Sequence, residues 1–201
     1  MTRVADIREQ AQALDIQASL LGKKCWDVGC GAAAGSSFSL SFGKKLLQCP
    51  PSTSAKAVEK YGQFERELKL LVWCSWTLNN GRGPVTSSDD ETPGLEKGLR
   101  RLSGRTVQSA EIGADWYLRL AFSGGMMLTI FPDHVGPAAS FDGNWELWRQ
   151  RDAYIVETDL SCKVIPRDYP PLEVPSDARW KRQAGREQPK GKRAAGGRGA
   201  A

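Results

Sequence analysis

The clearest alternation in the chain runs over residues 36–43, where Phe38, Leu40 and Phe42 take every second place and Ser37, Ser39 and Ser41 fill the places between. A period of two puts the apolar set on one face of a strand and the serines on the other. A second alternating face, Leu68, Leu70, Val72, Cys74, Trp76 and Leu78, is closed by the turn sequence Asn79-Asn80-Gly81. Upstream, Ile7, Ala11, Leu14, Ala18 and Leu21 recur at intervals of four and three. That spacing predicts an amphipathic helix with the set along one side and Gly22 ending it.

The second half restarts in the same order. Thr92-Pro93 opens a helix whose Leu95, Leu99 and Leu102 share a face, with Gly104 as its stop. Leu20-x-Gly22-Lys23 then corresponds to Leu102-x-Gly104-Arg105, the Phe38/Leu40/Phe42 strand to Leu118/Leu120/Phe122, and Trp73-x-x-Trp76 to Trp145-x-x-Trp148. Gly124-Gly125 reads as a hairpin tip between strands over residues 116–122 and 126–131. We read a duplication, chance sharing of a few apolar positions being the alternative. Each half, residues 1–90 and residues 91–166, is a helix, a Leu-x-Gly turn, a hairpin and a tryptophan-bearing strand, the two packed as one globular unit. The fold class is α+β, antiparallel sheet with flanking helices.

Residues 167–201 are Pro-rich and then Gly/Ala/Arg/Lys-rich, a composition too poor in apolar surface to offset chain ordering, so disorder is expected from about Ser176. The tail also holds the charge. Residues 178–201 carry eight basic side chains against Glu187, a net of +7, which leaves residues 1–177 at −2 within the overall +5. A body so close to neutral offers no broad phosphate-binding face. The tail could grip nucleic-acid phosphates through Arg179, Lys181, Arg182, Lys190, Lys192 and Arg193, with Trp180 stacking on a base, or act only as a solubilising extension.

No run approaches the roughly 20 apolar residues needed to span a bilayer, so no membrane partner is expected. Asp6, Glu9 and Asp15 occupy the place where a secretory signal would need an apolar stretch. Cys25, Cys30, Cys49, Cys74 and Cys162 are odd in number and contain no CxxC pair, which reads as free thiols in the cytoplasm. With one histidine and no paired cysteines, a zinc site is not expected.

Trp26-Asp27-Val28-Gly29-Cys30-Gly31 and Gly35 resemble the glycine-rich first motif of class I S-adenosylmethionine methyltransferases. That family sets an apolar strand before the motif and a helix after it, whereas here Lys23-Lys24-Cys25 precedes and the serine/phenylalanine strand follows. The glycines therefore read as turn residues, and no cofactor is expected. His134 beside Asp133 is the only imidazole available as a base, and its place between Pro132 and Gly136 suits an exposed turn. Asp89, Asp90 and Glu91 lack the spacing of a calcium loop and read as loop charge ahead of a helix.

In a strand, residues three apart point to opposite faces, so one member each of Trp73/Trp76 and Trp145/Trp148 should lie on the second face of its sheet, covered by other side chains or presented to a partner. The run Gly35-Ser36-x-Phe38-x-Leu40-x-Phe42-Gly43, with Trp73-Cys-Ser-Trp76-x-Leu78 and Trp145-x-Leu147, resembles a family of small uncharacterised bacterial proteins with no established activity. The resemblance implies a non-enzymatic cytoplasmic interaction protein, immunity-like or accessory. Its expected partner is a protein, bound through the four tryptophans and the acidic loop at Asp89 and Asp90. A nucleic-acid-associated protein using the tail is the second reading, and a methyltransferase the third.

Overall fold

The computed structural model describes residues 7–30, 34–48, 63–134 and 143–167. Helix α1 (Ile7–Leu20) leads into β1 (Cys25–Gly29), β2 (Phe38–Gln48), β3 (Gln63–Val72), β4 (Ser75–Asn80) and β5 (Gly83–Ser87). Helix α2 (Thr92–Leu99), with a 3-10 turn Arg100–Leu102, leads into β6 (Val107–Ile112), β7 (Leu118–Phe122), β8 (Met126–Phe131), β9 (Gly143–Trp148), β10 (Asp152–Glu157) and β11 (Cys162–Pro166). The strands form two antiparallel sheets, ordered β1-β2-β3-β9-β10-β11 and β5-β4-β8-β7-β6.

The alternating side chains meet between the sheets. Phe38, Leu40, Phe42, Leu68, Leu70 and Val72 come from one, and Trp76, Leu78, Leu118, Leu120, Phe122 and Leu128 from the other, in a single buried cluster. Phe38 packs edge-on against Trp76 with ring centroids 5.1 Å apart. The long alternating face from Leu68 to Leu78 is two strands, not one. The backbone N–H groups of Trp73 and Cys74 both donate to the Asn144 carbonyl, at 2.9 and 3.3 Å, and there the chain leaves the first sheet for the second.

Exchanging the halves leaves the topology unchanged. Substituting β6, β7, β8, β4 and β5 for β1, β2, β3, β9 and β10 converts the first sheet order into the second, with β11 left over. Each half gives three strands to one sheet and crosses over to give two to the other. The hydrogen bonds obey the same exchange: Gly22 N–H to Val107 O (2.9 Å) matches Gly104 N–H to Cys25 O (2.7 Å), and Cys25 N–H to Arg105 O (2.8 Å) matches Val107 N–H to Lys23 O (2.9 Å). The bridge between Lys24 and Thr106 maps onto itself and marks the pseudo-two-fold axis. Gly22 and Gly104, with φ of 74° and 82°, occupy left-handed backbone that glycine adopts without Cβ strain.

Register corrects the pairing of the tryptophans. Trp145 lies opposite Val72 and Trp76 opposite Ile130, and Val72 and Ile130 are themselves equivalent because they face Phe38 and Leu118. Trp76 therefore corresponds to Trp145, not to Trp148.

The helices exchange too. α1 packs on β6 and reaches β10 through Asp15, whereas α2 packs on β5 and its 3-10 turn on β1. Leu95, Leu99 and Leu102 of the second helix and turn are buried as the spacing predicts. Gly98 admits close approach: a Cβ there would stand 2.2 Å from Thr86 Cγ2 on β5. α1 departs from expectation. Its inward residues are Gln12, Ile16 and Leu20, and the stripe picked out by spacing faces solvent, with Ile7 82%, Leu14 65% and Leu21 54% exposed.

Candidate functional site

The four tryptophans divide into an inner and an outer pair. Trp76 and Trp145 are fully buried, and their indole N–H groups donate to equivalent backbone carbonyls, Ser36 O at 2.8 Å and Trp116 O at 2.9 Å. They are core residues and leave the set of contact candidates. Trp73 is 39% exposed. Trp148 is half-buried beneath the guanidinium of Arg167, 5.1 Å from its ring centroid, and donates its indole N–H to Glu146. Trp73 is the most exposed of the four among the described residues.

Asp90 ties down its own loop. Its carboxylate accepts from Thr86 Oγ1 at 2.7 Å and the Ser87 N–H at 3.0 Å, bonds that hold its pKa below the ordinary carboxylate range. Asp89 accepts from Ser88 Oγ at 3.5 Å. Asp133 accepts from the Ser75 hydroxyl and N–H at 3.1 and 3.3 Å, an anchor for the start of β4, and His134 beside it is exposed. The basic tail residues Arg179, Trp180, Lys181, Arg182, Lys190, Lys192 and Arg193 lie outside the described residues.

The methyltransferase-like segment forms β1, an edge strand antiparallel to β2. Among the described residues the next element after it is strand β2, antiparallel to it, where the methyltransferase motif would have a helix. Cys25, Cys30, Cys74 and Cys162 are unpaired. Burial pushes the thiols of Cys25, Cys74 and Cys162 up to about 12, far from reactive thiolates.

Sequence spacing could not show what gathers around Arg149. This guanidinium binds Asp152 through Nε at 2.5 Å and Nη2 at 2.7 Å, and Asp15 on α1 through Nη1 at 2.7 Å, while the Tyr154 hydroxyl also donates to Asp15. The bond from Tyr154, with help from Arg149, holds Asp15 below its ordinary pKa; burial, then the bond to Asp15, pushes Tyr154 up to about 12. Beside it Lys23 meets Glu67 at 2.6 Å, and Glu67 also accepts from the Lys44 N–H at 2.7 Å. Burial opposes ionisation of Glu67, but these bonds outweigh it and its pKa stays low. The cluster straps α1 to β10, and its charges are spent on one another.

The three most exposed large apolar side chains among the described residues belong to α1 and the residue just after it. Ile7 and Leu14 stand one heptad apart on the helix, Leu21 follows just beyond its end, and Ala11 and Ala18 fall between them. No described helix is long and apolar enough to cross a membrane. Comparison with protein-family models, with curated proteins and with solved structures returns no match for this chain.

Proposed function

We propose that this chain is a non-enzymatic protein-interaction module, of an immunity-like or accessory kind, that docks a partner on the outward side of α1. The carrying observation is the placement of Ile7, Leu14 and Leu21, the three most exposed large apolar side chains among the described residues, along one line. A helix in water presents its apolar stripe to the core unless something else covers it. This one has a second stripe for the core, so among the described residues the outer one is left exposed.

The occupant is an amphipathic helix of a protein partner. Bulky residues at seven-residue intervals with alanines between them make ridges and hollows that take the knobs of a facing helix. The free thiols among the described residues favour the cytoplasm as its place of action.

The test compares capture by the wild-type chain, by Leu14→Glu and by a chain ending at Asp177, each with and without nuclease. A stoichiometric protein partner that survives nuclease and truncation and is lost with Leu14→Glu is the expected result. Equal capture by Leu14→Glu removes α1 as the docking face. Nuclease-sensitive material lost with the tail would favour a nucleic-acid-associated protein instead, and a dimer of the pure chain at micromolar concentration would make the occupant a second copy.

A further inference from the structure

The pseudo-two-fold axis gives the Arg149 cluster a counterpart, and the two differ in charge. Around Arg149 stand the cations Lys23, Arg149 and Arg151 and the carboxylates Asp15, Glu67 and Asp152. The counterpart is a cleft of about 450 Å³ lined by Arg82, Arg101 and Arg105, with Asn80 and the Gly124-Gly125 turn. Arg105 takes the place of Lys23 and Arg82 that of Arg151, Asn80 takes that of Arg149, and a third cation enters at Arg101 where the first cluster has Ser19, so the number of cations is kept. The carboxylates are not. Leu68 and Met126 face the equivalent Phe42 and Phe122, which sets Glu67 against Gly125. Asp152 and Gly83 open the equivalent strands β10 and β5, and by the count from Leu20 and Leu102 Asp15 falls on Lys97.

Three arginines thus face one opening, and no carboxylate lines it. Like charges held together repel, and an arrangement that keeps three of them without an internal counter-ion is matched to an anion from outside. Arg105 is already positioned: its Nη1 donates to Ser123 O at 2.6 Å and its Nε to Arg101 O at 2.7 Å. Arg82 and Arg101 are exposed and make no side-chain hydrogen bond among the described residues, so their forks are free to close on a ligand. The glycine turn adds no side chain to the lining and lets the Arg105 guanidinium lie against it, since a Cβ on Gly124 would stand 1.9 Å from Nη1; its φ of 77° and 73° are ones a residue bearing a Cβ would adopt only under strain.

We propose that this cleft is a binding site for the phosphate group of a small phosphorylated molecule. Guanidinium forks match phosphate oxygens in pairs, and three of them balance a group with two or more negative charges. A cleft of this size lies in the range that holds a small organic ligand, so the phosphate enters with a body attached.

Isothermal titration of the full chain with inorganic phosphate, pyrophosphate and adenosine monophosphate, at low and moderate salt, tests the site. Pyrophosphate and the nucleotide should bind one to one, and inorganic phosphate more weakly. Arg101→Ser, which installs the residue found at the equivalent place, and Arg82→Ala should each weaken binding about tenfold or more. Arg151→Ala on the opposite cluster should leave it unchanged. The two substituted arginines are exposed, so unfolding does not confuse the result, and an unchanged Tm for each variant verifies this. Silence from all three probes at millimolar concentration overturns the proposal, as does binding that both variants retain in full. Binding confined to a single-stranded oligonucleotide and lost with residues 178–201 also overturns it, because the anion then belongs to the tail. Leu14→Glu should bind the probes as wild type does, which separates this site from the helix-docking face.

Discussion

Phe42 and Phe122 occupy equivalent places in the two halves and stack on each other, ring centroids 6.4 Å apart and planes inclined by 17°. Each lies opposite a residue next to the Lys24–Thr106 bridge, Phe42 opposite Cys25 and Phe122 opposite Val107, so a contact between one position and its own counterpart sits in the core beside that bridge. Truncation of either ring to alanine should cost about 3–5 kcal/mol. The two losses should be alike, and a double-mutant cycle by chemical denaturation should return a coupling of about 0.5–1.5 kcal/mol. Additive losses would show that the rings pack independently.

Trp76 and Trp145 hold backbone carbonyls as well as volume, the first part-buried and the second buried. Phenylalanine at either place leaves Ser36 O or Trp116 O without its donor, at a cost of about 1–3 kcal/mol beyond the lost contact area. Trp73→Phe should change stability by less than about 0.5 kcal/mol, since that indole is at the surface. Urea melts of the three variants decide it.

On α1 the two apolar stripes should respond in opposite ways. Ile16→Ala empties a site in the core and should cost about 2–5 kcal/mol. Leu14→Glu should move stability by no more than about 0.5 kcal/mol. A large loss from Leu14→Glu in the pure chain would mean that this side is already packed.

Asp15 should contribute to the acid limb of stability. Its folded pKa lies below the unfolded value, so its contribution is whole above an unfolded pKa of about 3.9 and fades as pH falls through the folded one. The stability gap between wild type and Asp15→Asn should be constant from pH 5 to 8 and close below about pH 4. A gap that widens on acidification would contradict the assignment.

The strands were legible because alternation is a local property: Phe38, Leu40 and Phe42 need no knowledge of their neighbours to declare a face. The side of α1 was not. Ile7, Ala11, Leu14, Ala18 and Leu21 make the more regular stripe, yet Gln12, Ile16 and Leu20 are the buried ones, because β6 packs on their side of the helix. Periodicity reports that a stripe exists and is silent about which of two a tertiary surface will cover. Matching the tryptophans by their shared spacing failed for a related reason. Trp-x-x-Trp occurs twice, but one copy spans the crossing between sheets and the other lies within β9. The arginine cleft was invisible to spacing because Arg82, Arg101 and Arg105 come from a hairpin turn, a 3-10 turn and the approach to β6, brought together only by the packing of α2 against β5.

The crossover of strands has a consequence for assembly. Neither sheet is complete until both halves have arrived, since β9 must find β3 and β8 must find β4 across long stretches of chain. The halves are therefore clasped rather than stacked. Their folding should be one slow, concerted event, because distant closure must precede most of the burial. Cut between Asp90 and Glu91, in the connection between β5 and α2, the chain should give two pieces that are each unfolded alone and regain the native sheets on mixing.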